Sequence, residues 1–409
     1  MINSGDTAWV LMSSALVMLM TPGLAFFYGG MVRRKNVLSV LMQCFVILCV
    51  LSLQWVLFGY SLSFAPGTGF WGGLQWAGLN GVGLEPYADY AATIPHQAFM
   101  IFQGMFAIIT PALIIGAFAE RMKFSAFLIF TILWATLVYD PVCHWVWGIG
   151  GWIRNMGALD FAGGTVVHIN AGIAALMTAL VIGRRKNLDK SVPSPHNLPF
   201  VVLGTALLWF GWFGFNAGSA LAANGIAVNA FVVTNTAAAA AGLSWAFIEW
   251  IRNGKTTMFG AASGAVAGLV AITPAAGYVS VIPAIIIGLL VSVFCYIAAA
   301  VIKPKLGYDD ALDAFGVHCV GGMWGALATG LFASKAVNAA GNNGLFFGNP
   351  HQLYVQAVAV GATLLYAIVG TFVIYKILDA TIGMRVVEKD EDLGLDLTQH
   401  RERAYTVLE

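Results

Sequence analysis

Apolar residues run in long stretches from one end of the chain to the other, broken only by short polar connections. Eleven such stretches lie near 7–30, 37–64, 97–119, 124–147, 161–182, 198–218, 228–251, 256–275, 279–302, 312–334 and 351–380. Each runs to roughly 18 residues or more, enough to cross about 30 Å of hydrocarbon as a helix. None alternates apolar and polar positions as a membrane-barrel strand does, and backbone groups in lipid must be satisfied within the span, so helices are expected. The pattern predicts an all-α polytopic membrane protein of eleven transmembrane helices in one domain over 1–383, followed by a tail over 384–409. Between the spans the longer polar pieces are a loop near 65–96 and a basic loop near 183–197 that carries Pro193 and Pro195. The tail, VVEKDEDLGLDLTQHRERAY, is charged and is expected to be either solvated or docked on the protein. It is too short to be an enzyme.

Two echoes divide the chain. Asp160 precedes His168 by eight residues, and Asp310 precedes His318 by eight; ITPA occurs at 109–112 in the third stretch and again at 272–275 in the eighth. The predicted halves are about 7–182 and about 198–334, with five spans each and the eleventh, about 351–380, left over. Five is odd, so the second half enters the membrane from the opposite side, giving a 5+5 inverted repeat.

Composition and charge fit this picture. Hydrophobic residues make up 59% of the chain and charged residues only 10%, against about 25% charged in soluble domains. Of the 20 Lys and Arg, all but Arg154 and Lys335 fall on alternate connections or around the end of the last span, Lys190 among them. By the positive-inside rule the N-terminus faces out and the C-terminus faces the cytoplasm. A net charge of +1 spread in this way gives no reason to expect a nucleic-acid partner. The five cysteines lie in or beside apolar stretches without ligand spacing and read as small core residues. Nothing suggests that the first span is a removed leader. The terminal Leu408 and Glu409 carry no part of the pattern.

An eight-residue advance along a helix is about 12 Å, which carries each histidine most of the way to the bilayer midplane from opposite sides. If the two spans face each other, His168 and His318 meet. Two imidazoles in hydrogen-bond contact need one donor and one acceptor, hence neutral rings or one shared proton, a pair suited to a small polar solute or a proton. The alternative is a structural hydrogen bond to a neighbouring helix. Asp160 and Asp310 sit at helix starts, where a carboxylate caps free amides; capping is the preferred reading of Asp310. Asp160, beside Gly163 and Gly164, also suits an electrostatic role near a cation path. In the sixth span Trp212, Phe215 and Ser219 share one face, in the third Phe102 and Phe106 stand one turn apart, and the fourth ends at Trp147. These aromatics form either an interfacial belt or a vestibule that attracts a small cation by cation–π contact, with Ser219 accepting a hydrogen bond and Phe106 and Phe215 closing the tube below.

The segments TPGLAFFYGGMVRRKN, FQGMFAIIT, GAFAERMKFSAFLIF, LDFAGGTVVHINAG, HNLPFVVLGTALLWFGWFGFNAGSA and DDALDAFGVHCVGG together resemble the ammonium transporter family, Amt/MEP/Rh, in its bacterial Amt branch. The resemblance covers nearly the whole chain up to the tail. It implies a homotrimer in the cytoplasmic membrane with one pore per subunit, carrying ammonium or ammonia with methylammonium as analogue; no nucleophile, metal cluster or phosphate loop appears in the sequence, so neither an enzyme nor a cofactor is expected. It makes His168 and His318 twin pore histidines, with Trp212 near the lower pore. It makes Phe106 and Phe215 the gate, and Trp147, Phe106 and Ser219 the ammonium recruitment site. Asp160 becomes its electrostatic support, and Gln103 lies beside the gate. The tail resembles a segment that packs beneath a neighbouring subunit and helps a P-II signalling protein dock. Two other functions stay open: an ammonium sensor acting through a separate partner, and a gas channel for carbon dioxide, which keeps the histidines but does not require Trp147 and Ser219.

Overall fold

The computed structural model describes residues 1–186, 188 and 195–405; Lys190, Pro193, Leu408 and Glu409 lie outside the described residues. The apolar stretches are helices: α1 Ser4–Met31, α2 Arg34–Phe64, α3 His96–Phe118, α4 Phe124–Asn155, α5 Gly164–Ile182, α6 Leu198–Ala220, α7 Gly225–Asn253, α8 Met258–Ile272, α9 Val281–Leu306, α10 Phe315–Phe332 and α11 Pro350–Thr381. Among the described residues there is no named strand, only two isolated bridges. Ten of these helices are long and apolar enough to cross a membrane. The eighth is shorter than the expected 256–275 because its ITPA segment leaves the helix after Ile272. Pro274 brings no N–H to continue the ladder, although Thr273 itself keeps helical backbone angles. In α3 the other copy of ITPA stays helical through Pro111. What the two copies share is the threonine. Thr110 Oγ1 donates to the Phe106 carbonyl at 2.6 Å, and Thr273 Oγ1 to the Leu269 carbonyl at 2.7 Å, each four residues back.

The halves match in finer detail. Both α4 and α9 widen into a π-type turn, at Ala135–Tyr139 and Ala298–Ile302, and both α5 and α10 begin with one, at Gly164–Ile169 and Phe315–Cys319. Such wide turns re-aim side chains and recur at functional positions; here each of the last two carries a histidine. Glycines bring the two helices together. A Cβ on Gly172, four residues after His168, would lie 2.2 Å from the Cys319 amide nitrogen. One on Gly322, four residues after His318, would lie 3.2 Å from His168 Cβ. At Gly172 only glycine admits that approach.

The tail is docked. The Lys123 amide donates to Met384 O at 2.9 Å and the Val386 amide to Arg121 O at 3.0 Å. Two short helices follow, α12 Glu388–Leu393 and α13 Leu395–His400. Asp396 accepts from the Ser39 amide at 2.8 Å, capping α2, and Asn36 Oδ1 accepts from the Leu395 amide at 2.8 Å. Beneath them lies a buried ion cluster. Glu120 pairs with Arg33 at 2.8 Å and Arg185 at 3.2 Å, while Asp309 pairs with Arg185 at 2.8 Å and Arg121 at 3.7 Å. Burial pushes the Glu120 carboxyl up, but Arg185 and Arg33 outweigh it and hold it below the usual range. The same balance holds Asp309 low: burial raises it, and Arg185 and Arg121 reverse the shift.

Candidate functional site

Three features fix each histidine: an aspartate cap, a π-type turn and the glycine crossing. Asp160 Oδ1 accepts from the amides of Gly163 and Gly164 at 2.9 and 2.7 Å, and Oδ2 from those of Thr165 and Val166 at 2.8 and 3.1 Å. Both oxygens are therefore turned onto the start of α5, as a cap is. Asp310 does the same more sparingly, accepting from Ala314 at 3.1 Å and Phe315 at 2.8 Å. The residue three places after each aspartate has positive φ, +113° at Gly163 and +59° at Asp313.

So held, His168 and His318 face one another in the interior, 1% and 3% exposed, with ring centroids 5.4 Å apart and planes 17° from parallel. The expected direct hydrogen bond between them is not made. Neither nitrogen of His168, nor Nδ1 of His318, has a hydrogen-bond partner within the protein. The ring planes run nearly parallel across the close α5–α10 crossing, and no N–H···N contact of hydrogen-bond geometry joins them.

The rings continue toward the Trp147 end of α4. Phe215 lies 5.9 Å from His168, Phe106 4.3 Å from Phe215, and Trp147 5.8 Å from Phe106 at right angles to it. Phe106 and Phe215 are fully buried and Trp147 is partly exposed. Trp147 Nε1 donates to the Asp160 carbonyl at 2.8 Å, so one residue sets both the tryptophan and the start of α5. Ser219, also partly exposed, donates its hydroxyl hydrogen to the Phe215 carbonyl at 2.9 Å, which leaves its oxygen lone pairs to accept. Arg154 donates to the Trp147 carbonyl and lies 5.9 Å over the Tyr90 ring. Trp212 packs beside Phe215, ring centroids 5.5 Å apart, and is buried against His168 at 5.4 Å; its Nε1 donates to Thr273 Oγ1 at 2.8 Å. Gln103 is half-buried, and its Oε1 has no partner within the protein.

Beyond the histidines three spaces follow in sequence. A void of about 10 Å³ touches His168, Trp212, Phe215 and His318. A second, of about 30 Å³, shares His318, Phe27 and Val266 with it. A cleft of about 770 Å³ shares Met31, Phe259, Leu312 and Asp313 with the second and opens beside the ion cluster. The ring file and these spaces adjoin one another through shared lining residues, mostly apolar between the outer rings and the inner cleft, with the histidines among them. The sequence pattern missed Thr273 as the partner of Trp212, though the repeated ITPA was its signal. It also missed the lining residues Phe27 and Val266, which have no signal apart from apolarity.

The chain matches the family model described as Ammonium Transporter Family over residues 8–405. It is 57% identical over 401 residues to the ammonium transporter of Bacillus subtilis, covering 98% of each chain. It is 50% identical over 406 residues to Ammonium transporter Amt1 of Archaeoglobus fulgidus, covering 99% of this chain and 100% of that one. Among solved structures, Candida albicans Mep2 superposes with a TM-score of 0.90 at 38% identity, covering 98% of this chain and 90% of that one. A structure titled Sensor Amt Protein superposes with a TM-score of 0.88 at 30% identity, covering 97% and 98%.

Proposed function

Since the chain belongs to the ammonium transporter family, we propose that it moves ammonium across the cytoplasmic membrane through a twin-histidine pore within each subunit. The observation that carries this reading is the file Trp147–Phe106–Phe215–His168–His318, in which buried histidine nitrogens lack protein partners. The Trp147 mouth faces outward and the basic face with the docked tail faces the cytoplasm, an orientation supported by the distribution of Lys and Arg. An ammonium ion is drawn to the electron-rich faces of Trp147 and Phe106 and donates a hydrogen bond to Ser219. Asp160 supports that site electrostatically and through its hold on Trp147.

A bare cation pays a heavy desolvation cost in the apolar line below, whereas neutral ammonia needs only one hydrogen bond at a time. The ion therefore gives up a proton to water at or above the Phe106–Phe215 gate, and that proton crosses separately by way of the ring nitrogens of His168 and His318, so that charge is carried. Ammonia slips past the two rings, and the ring nitrogens of His168 and His318 exchange hydrogen bonds with it. Trp212, tied to Thr273, packs His168 in place. Ammonia regains a proton in the wider inner cleft. The assembly is a homotrimer in lipid, and the docked tail is the surface for a P-II signalling protein.

Reconstitution tests the reading. Proteoliposomes carrying the protein are expected to accumulate methylammonium saturably, to be inhibited by ammonium and not by potassium. Saturable binding without flux would favour a sensor instead, the alternative raised by likeness to the sensor structure. Flux of carbon dioxide that is unaffected by Trp147→Leu and Ser219→Ala, without ammonium flux, would favour the gas channel.

A further inference from the structure

The two caps differ in what donates to the aspartate carbonyl. At the outer mouth the donor is the neutral indole of Trp147, at the C-terminal end of the span before α5. At the inner mouth the donor to the Asp310 carbonyl is the ammonium of Lys303, at the end of the span before α10, at 3.2 Å. The same ammonium is paired with the Asp313 carboxylate, on the positive-φ residue that matches Gly163. Asp313 lines both the inner cleft and the smaller space that reaches His318. Lys303 thus puts a fixed primary ammonium, three N–H donors on one positive charge, where a departing or returning ammonium ion meets its nearest carboxylate.

The other carboxylates of this cleft are occupied as well. Asp309 is held by Arg185 and Arg121. Glu249 accepts from the Thr257 amide at 2.8 Å, the Thr257 hydroxyl at 2.9 Å and Trp245 Nε1 at 3.3 Å. Among the described residues the charged lining residues balance, with Arg184, Arg185 and Lys303 against Glu249, Asp309 and Asp313. Removing the lysine charge would leave the mouth net negative, with Asp313 open to a cation.

Resting on the transport reading above, we propose that Lys303 is a tethered substrate mimic: its ammonium occupies the inner cation position at Asp313 and so lowers the affinity of the cytoplasmic mouth for ammonium, making the two mouths unequal. Asp313 is then the inner cation site that Lys303 keeps filled, and Lys303 is a specificity-determining residue for direction rather than for chemistry.

The test uses the full chain in right-side-out and inside-out membrane vesicles, with labelled methylammonium as probe, and reads the half-saturating concentration at each face. Wild-type protein is expected to saturate at higher concentration from the inner face. In Lys303→Gln the inner value is expected to fall roughly three- to five-fold, the range of one partly exposed charge pair, while Lys303→Arg stays near wild type. Asp313→Asn is expected to raise the inner value, and the double variant Lys303→Gln/Asp313→Asn to return toward wild type. A residue needed only to brace the start of α10 would shift both single variants the same way, so opposite shifts are the signature. Wild-type vesicles without saturable uptake would overturn the transport reading itself. Normal wild-type uptake with an unchanged or raised inner value in Lys303→Gln would overturn only the role given to Lys303.

Discussion

Replacing Asp160 with alanine removes the acceptor of four backbone amides at once, at 2.7 to 3.1 Å. The site is 7% exposed, so water replaces that carboxylate poorly. Each buried amide left without a partner costs about 1–3 kcal/mol. Taking the lower end for all four gives roughly 4 kcal/mol, a large share of the 5–15 kcal/mol that holds a typical fold. Asp160→Asn keeps one acceptor oxygen for two amides and turns an NH2 toward the other two, for a cost of roughly 2 kcal/mol. Asp310→Ala strips only two amides, again roughly 2 kcal/mol. The expected order of stability is therefore wild type, then Asp160→Asn and Asp310→Ala together, then Asp160→Ala. Thermal denaturation of the detergent-solubilised protein, read by the loss of the monodisperse peak on size exclusion, measures this order. Methylammonium uptake by Asp160→Asn reports in parallel on the alignment of His168, whose turn the cap begins. Asp160→Ala no less stable than Asp310→Ala would refute the assignment of both carboxylate oxygens to the amides.

Phe106→Ala empties a fully buried ring position; the expected cost is about 3–5 kcal/mol, with a rise in osmotic water permeability of proteoliposomes as the gate with Phe215 opens. Ser219→Ala removes an acceptor at the outer mouth and is expected to raise the half-saturating methylammonium concentration there roughly ten-fold, the equivalent of about 1.4 kcal/mol, with little change in maximal rate. The Glu120 and Asp309 carboxyls are held low in the folded protein, so their ion pairs contribute stability above the unfolded carboxylate range of about 4 and lose it as pH falls through the lower folded values. Thermal stability is therefore expected to fall steeply below about pH 4, and the acid-sensitive part to shrink in Glu120→Gln.

Hydrophobic run length and basic-residue placement were enough to find the helices, because a span must satisfy its own backbone and a bilayer fixes its length. The one misjudged span, α8, ends at a Thr-Pro pair that α3 passes through. Whether a proline ends a helix depends on what packs around it, and a single sequence does not record that. The encounter of His168 and His318 was legible from their equal distance to an aspartate. Their relative orientation was not, because it depends on two π-type turns and on Gly172 and Gly322, whose importance appears only when the opposing helix is in place. Helical periodicity put Trp212 on one face with Phe215; its bond to Thr273 was not legible, because it depends on how α8 ends against α6. The tail was left between solvated and docked, and the hydrogen bond that Asn36 accepts from Leu395, with those that the Ser39 and Lys123 amides donate to Asp396 and Met384, decides for docking.

The most direct test of the central claim is the flux and current carried by His168→Leu/His318→Leu in proteoliposomes on a solid-supported membrane, against wild type at equal protein density. Loss of the ring nitrogens from the apolar line is expected to abolish methylammonium uptake and to change or extinguish the ammonium-evoked current while the protein stays folded. Uptake and current both equal to wild type would contradict the account.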